Sequence, residues 1–174
     1  MRQFHSYGPI DSEDHFHVAR RELIDRYTTQ MTGKPGKSGH YFTLWAPRQT
    51  GKTWLMQQTV KAIRAKYGDK FRIGTLSMQG VILKDEDPEE KFLGNVPRLF
   101  FEGFDMDIAE PLNWKDFTGL FLKYRGIFDR PLLLFIDEFD SLPAKVTDCL
   151  VTLFRDMYLK KEKYLLHGLA LIGV

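Results

Sequence analysis

The sequence predicts a three-layer α/β fold with a mostly parallel sheet, on the basis of three observations. Residues 131–136 form an uninterrupted apolar run, as is typical of a strand covered on both faces in a parallel sheet. Strand-like segments alternate with segments of helical periodicity along the chain. The strand-like residues 41–45 lead through a short glycine-containing loop into a helical pattern, which is a common connection in such sheets.

Periodicity places the individual elements along the chain. Residues 21–31 predict a helix because apolar side chains recur there at helical spacing, and the glycine-rich residues 32–39 predict a turn. Residues 84–91 are charge-rich, and we expect a solvated connection there rather than a metal site. The other expected elements are strand 41–45, a helix that Gly68 ends, strand 71–78, a helix containing residues 93–104, a helix over 114–124, strand 131–136, a helix over 143–158 and strand 169–174.

Length and composition indicate one globular domain. The chain has 174 residues, of which 43% are hydrophobic and 28% charged, so it can bury a substantial core. We expect residues 1–39 to form a lead-in segment with its helix, and residues 40–174 to form the core. Short apolar runs, an opening without a secretory signal and a single cysteine favour a cytoplasmic location without a membrane partner. The net charge of +2 does not indicate nucleic-acid binding.

Residues 46–53, Ala-Pro-Arg-Gln-Thr-Gly-Lys-Thr, have the composition of a phosphate-binding loop. In such a loop, backbone N–H groups and the N-terminus of the next helix face the anion. Ala46 replaces the usual first glycine, and Pro47 shapes the loop without donating a hydrogen bond because it lacks an N–H. Lys52 would reach the β- and γ-phosphates, and the Thr53 hydroxyl would bind Mg²⁺. The candidate nucleotide contacts are Ala46, Pro47, Arg48, Gln49, Thr50, Gly51, Lys52, Thr53 and Trp54.

Asp137 and Glu138 follow the buried run directly, at the end of a strand where α/β sheets hold their ligands. Asp137 can hold Mg²⁺ through water, and Glu138 can polarise the attacking water. Taken alone, the pair could equally cap the next helix. Combined with the loop, it predicts a site for ATP and Mg²⁺, with Thr53 and Asp137 as metal residues and Glu138 and Lys52 as catalytic residues.

The two motifs resemble the Walker A and Walker B elements of AAA-like P-loop ATPases. Residues 132–142, Leu-Leu-Leu-Phe-Ile-Asp-Glu-Phe-Asp-Ser-Leu, carry the second element, and the Pro-Arg-x-x-Gly-Lys-Thr loop is similar to that of the bacterial and archaeal AAA-ATPase-like and STAND-type group. Residues 17–23 resemble the Val-Gly-Arg-Glu-x-x-Leu segment of that group, with Ala19 in place of glycine. This resemblance implies that Val18 and Arg20 lie near the adenine.

The same resemblance has implications for the extent of the domain. It covers roughly residues 16–174 and implies a P-loop NTPase fold without its C-terminal strand and helical lid, and hence a chain that belongs to a longer protein. It also implies that strand 41–45 neighbours strand 169–174 and leaves its other edge open. Such an edge favours self-association or pairing with the remaining part of the parent protein.

We therefore expect Mg²⁺-dependent ATP binding and hydrolysis by an AAA-like module. Turnover should be slow, because no arginine finger is identifiable in the sequence. One alternative is a nucleotide-operated switch or scaffold with little hydrolysis. Another is a P-loop kinase for a small acceptor, which has less need of the second carboxylate. Of the weaker features, we expect His15 and His17 to be surface residues rather than metal ligands, and Cys149 to be a packed residue rather than a nucleophile.

Overall fold

The computed structural model describes residues 20–34 and 37–174. Within these residues a mixed α/β chain alternates helices and strands, with short 3₁₀ turns between several of them. None of the helices in these two ranges combines the length and the hydropathy that a bilayer crossing requires. The helices are α1 (Arg21–Thr32), α2 (Lys52–Tyr67), α3 (Val96–Phe104), α4 (Trp114–Gly119) and α5 (Ala144–Leu159), and the strands are β1 (Tyr41–Trp45), β2 (Arg72–Ser77), β3 (Leu132–Asp137) and β4 (Leu166–Gly173).

The four strands form one sheet in the order β1-β4-β3-β2, and every pair is parallel. The sheet described here is therefore wholly parallel, where the sequence predicted a mostly parallel one. β1 pairs with β4 along its whole length, from Tyr41 opposite Leu169 to Trp45 opposite Gly173. β1 forms one edge of this sheet, in agreement with the expected neighbour. Because all strands run the same way, the loops after β1 and β3 emerge at the same edge.

Helices cover both faces of the sheet. Helices α1 and α2 lie on one face, where Met31 and Ile63 pack against alternate strand residues such as Leu133 and Phe135. On the other face a larger cluster, which includes aromatic residues of α3 and α4, packs against the intervening residues of β3 and β4. All six residues of β3 are buried, as the apolar run predicted. The result is a three-layer arrangement with β3 at its centre.

Several element boundaries differ from those that the sequence predicted. The helix expected over 114–124 ends at Gly119, because Leu122 instead forms an antiparallel bridge with Tyr164. Residues Glu89–Asn95 form a 3₁₀ segment, and α3 begins only at Val96, where Pro97 suits the first turn of a helix. The last strand begins at Leu166, three residues earlier than expected, since these residues also pair with β3.

Candidate nucleotide-binding site

The phosphate loop, residues 46–53, connects β1 to the first turn of α2. Gln49 and Gly51 both have positive φ, at 60° and 79°. A Cβ added to Gly51 would meet no atom within 4 Å, so the left-handed backbone rather than crowding favours glycine there. The Ala46 N–H points to the Gly173 carbonyl at 3.4 Å, which ties the start of the loop to the end of β4. The turn thus aims the N-terminus of α2 at the carboxyl edge of the sheet.

Side chains of the loop hold its own backbone in place. The Lys52 Nζ donates to the Ala46 carbonyl at 2.7 Å and to the Pro47 carbonyl at 2.9 Å. The Thr50 hydroxyl donates to the same Pro47 carbonyl at 2.8 Å. Because an ammonium group has three donors, two are used within the loop and one can serve an anion. The loop therefore positions the Lys52 charge without consuming all of its hydrogen-bonding capacity.

Arg20 contacts the same loop from outside. It immediately precedes α1, and its guanidinium donates to the Thr50 carbonyl at 2.8 Å. The resemblance implied an adenine contact for Arg20, and the structure brings it to the backbone of the phosphate loop. This contact depends on how α1 packs against α2, so the spacing of residues alone could not have predicted it. Val18, His15 and His17 lie outside the described residues.

The two motifs meet at the Thr53 hydroxyl, which donates to Asp137 Oδ2 at 2.7 Å. Asp137 is the last residue of β3 and is 7% exposed, whereas Thr53 lies in the first turn of α2. These two residues are 84 positions apart in the chain. A hydroxyl and a carboxylate at hydrogen-bonding distance, on the rim of a phosphate loop, form a pair of oxygen ligands suited to Mg²⁺.

Glu138 stands beside this pair in an unusual backbone conformation. Its φ is 56°, which is left-handed and uncommon for a residue other than glycine, asparagine or aspartate. Its N–H donates to Asp137 Oδ1 at 3.0 Å, so both Asp137 oxygens have a partner. The Glu138 side chain is exposed at the edge of the sheet. A left-handed conformation at an exposed acid beside a buried one makes Glu138 a candidate functional residue.

Sequence reasoning missed Asp140, which the fold brings to this end of the sheet. The carboxylate of Asp140 lies against the end of β4, since a Cβ added to Gly173 would fall 2.7 Å from Asp140 Oδ1. The same added Cβ would fall 2.7 Å from the ring of Trp45, so Gly173 allows both side chains to approach. Asp140 follows Asp137 by three residues, and this spacing was the only available signal.

The remaining candidate residues lie at the tip of the loop, in the first turn of α2 and on α5. Pro47, Arg48 and Gln49 are exposed at the tip of the loop, and Trp54 is half-buried in the first turn of α2. Cys149 lies on α5, where burial, together with Glu89 and Glu90, raises the pKa of its thiol. A raised pKa disfavours the thiolate, which is the nucleophilic form of the side chain.

Metal binding at this edge would depend on ligands besides protein carboxylates. Among residues 20–34 and 37–174, no group of three or more His, Cys, Asp or Glu side chains is arranged to hold a metal ion. Mg²⁺ commonly uses one or two protein oxygens together with phosphate oxygens and water. Thr53 and Asp137 fit that requirement, because they offer two adjacent oxygens next to the loop.

Comparison with known proteins does not add a family assignment. No protein-family model matches the sequence, and no curated protein gives a significant match. The geometry of the phosphate loop and of the carboxylates at the end of β3 is therefore the guide to function.

Proposed function

We propose that this chain is the ATP-binding module of an AAA-like P-loop ATPase and that it binds and hydrolyses ATP with Mg²⁺. The 2.7 Å hydrogen bond from the Thr53 hydroxyl to Asp137 carries the proposal, because it joins the phosphate loop to the carboxylates that follow β3. If Asp137 and Glu138 lay far from the phosphate loop, the loop could still bind an anion. These carboxylates could not then help to hold a metal ion bound to that anion. The parallel sheet supports the proposal by bringing both motifs to one edge.

Each residue has a separate task in this proposal. Backbone N–H groups around Gly51 and the Lys52 ammonium bind the phosphates. Thr53 and Asp137 would hold Mg²⁺, which would neutralise negative charge on the phosphate oxygens. Glu138 accepts a proton from water as the water oxygen attacks the γ-phosphorus and the bond to the β,γ-bridging oxygen breaks. The products are ADP and inorganic phosphate, and no further reactant is needed.

Nucleotide binding is tested by the thermal shift that ATP and Mg²⁺ produce. At a ligand concentration of 100 times Kd the stabilisation is about 2.7 kcal/mol, and a domain of this size gains about 2–4 °C per kcal/mol. We expect a rise of roughly 5–10 °C for the parent, none for Lys52→Ala, and an unchanged rise for Lys61→Ala, which removes an exposed lysine of the same helix. An equal rise in Lys52→Ala and the parent would reject the site.

Hydrolysis is tested separately by release of phosphate. Glu138→Gln should keep the thermal shift and lower phosphate release by roughly 100-fold, in line with the loss of a general base. The matched control is Glu86→Gln, since the Glu86 side chain is 75% exposed and lies in the charged connection. If parent and Glu138→Gln release phosphate equally, Glu138 has no part in the reaction.

The same measurements distinguish the two alternatives. A nucleotide-operated switch would show the thermal shift with negligible phosphate release in the parent. A small-molecule kinase would show ADP formation that depends on an added acceptor, with the phosphate recovered on that acceptor. ATP hydrolysis in buffer alone, lost in Glu138→Gln, would distinguish the ATPase from both.

A further inference from the structure

A second candidate binding site lies at the opposite end of the strands, near the start of β4. A cleft of about 650 Å³ is lined by residues around the end of α4 and by residues just before β4. Its cations are Lys115, Lys123, Arg125 and Lys163, and we call it the cationic cleft. β4 has eight residues, so at about 3.3 Å per residue roughly 26 Å separates this end from the phosphate loop. The cleft is therefore distinct from the proposed ATP site.

None of the four cations of the cleft forms an ion pair with a carboxylate in the part of the chain that the structure describes. The ion pairs found there involve other cations, namely Lys84, Lys91, Arg98, Arg130 and Lys160. Glu162 is the single carboxylate among the described residues that line the cleft, and it forms none of these pairs. The lining thus carries four positive charges and one negative charge, although the whole chain has a net charge of only +2. Such a local excess attracts a polyanion.

The walls of the cleft are held in place. The bridge between Leu122 and Tyr164 joins them, and the Lys123 N–H donates to the Lys163 carbonyl at 3.1 Å. The Lys123 Nζ donates to the Glu162 carbonyl at 2.8 Å, which fixes the ammonium at the rim. Arg125 packs over Gly119, where an added Cβ would lie 3.1 Å from its Cζ. Cations held in this way lose less conformational freedom when an anion binds.

Tyr124 gives the cleft a feature that distinguishes among anions. Its side chain lines the cleft between Lys123 and Arg125 and is 80% exposed. An exposed ring between cations can stack with a base while the cations contact phosphates, which is the pattern of single-strand binding. The carboxylates of an acidic peptide would satisfy the cations, but they do not stack on an aromatic ring as a nucleobase does. We propose that the cationic cleft binds single-stranded nucleic acid through its phosphates and through a base stacked on Tyr124.

Fluorescence anisotropy with a fluorescein-labelled 20-nucleotide oligo(dT) or oligo(U), over a series of salt concentrations, tests the phosphate contacts. The triple variant Lys115→Gln, Arg125→Gln and Lys163→Gln should bind at least tenfold more weakly. Its slope of log K against log salt should be shallower by about 2, at roughly 0.7 per lost phosphate contact. The control triple Lys61→Gln, Arg64→Gln and Lys84→Gln removes the same charge from exposed positions elsewhere and should bind like the parent.

Stacking is tested by a pair of variants at Tyr124. Tyr124→Ala should weaken binding by about tenfold, and Tyr124→Phe should retain the parent affinity because it keeps the ring. Lys52→Ala should bind the oligonucleotide normally, which separates the cleft from the phosphate loop. Thermal melts of every variant, matched to the parent, exclude unfolding as the cause of a loss.

Three results would overturn the proposal. The first is absence of oligonucleotide binding by the parent at low salt. The second is equal weakening by the cleft triple and the control triple, which would mean that only net charge matters. The third is a preference for poly-glutamate over the oligonucleotide, with no effect of Tyr124→Ala, which would assign the cleft to an acidic peptide.

Discussion

Replacing Thr53 by valine removes the hydroxyl that joins the two halves of the candidate site and keeps the shape of the side chain. A hydrogen bond to a charged group contributes about 1.5–3 kcal/mol. Thr53 is exposed and Asp137 retains the Glu138 N–H as a second donor. We therefore expect a loss at or just below the lower end of that range, about 1–2 kcal/mol. In a 174-residue domain this corresponds to a fall in Tm of roughly 2–8 °C without nucleotide.

The variant should also lose the additional rise in Tm that ATP and Mg²⁺ give the parent, because the metal loses one oxygen ligand. Thr53→Ser keeps the hydroxyl and is the matched control, which should retain both the stability and the nucleotide shift. Differential scanning fluorimetry, with urea unfolding for the free energy, measures both effects. Equal stability of Thr53→Val and Thr53→Ser would refute the assigned hydrogen-bond energy. A full nucleotide shift in Thr53→Val would show that the hydroxyl is not a metal ligand.

Three further predictions concern the backbone, the core and pH. Gly51→Ala and Gly126→Ala both place alanine at a left-handed φ with open space around the Cβ, so each should lower the free energy of unfolding in urea by about 1–2 kcal/mol. Only Gly51→Ala should also weaken the rise in Tm that ATP gives. Equal nucleotide shifts in the two variants would contradict the assigned loop. Gly74→Ala places a Cβ against the ring of Phe104 and should lower the free energy of unfolding by about 1–3 kcal/mol. Adding Phe104→Leu should recover part of that loss. Absence of any recovery would mean that another contact is responsible. Burial lowers the pKa of His167, so as pH falls the histidine is protonated in the unfolded chain before it is protonated in the folded protein. The free energy of unfolding should therefore fall as pH drops below about 6.5, and His167→Gln should reduce this fall between pH 6.5 and 5. An unchanged pH profile of the unfolding free energy in the variant would rule out the histidine as the cause.

The fold was predictable wherever a local pattern coincided with burial. The continuous apolar run at β3 predicted a strand covered on both faces, and all six of its residues are buried. The helix that begins at Trp114 was predicted too long, because the aromatic periodicity continues beyond Gly119 whereas the helix ends there. What ends it is a pairing between Leu122 and Tyr164, and a contact between distant segments leaves no local signature in either of them.

The candidate site shows the same division. The meeting of Thr53 with Asp137 could be predicted from the parallel sheet. Phosphate binding by Lys52 and Thr53, which their spacing relative to Gly51 indicates, stays a prediction. The bond from Arg20 to the Thr50 carbonyl depends on the packing of α1, so only the structure reveals it. The approach of Asp140 to the end of β4 likewise requires two strands to be in register.

Net charge does not report where the charges of this chain lie on its surface. The ion pairs among the described residues join side chains at most four positions apart, so these cations and carboxylates cancel locally. The cations of the cleft come instead from residues 115–125 and from Lys163, which the bridge at Tyr164 brings together. A composition total does not distinguish cations paired with carboxylates from a cluster of unpaired cations such as the one that lines the cleft. A near-neutral chain can therefore present a concentrated positive surface, and the matched triple variants measure whether that arrangement, rather than the total charge, determines binding.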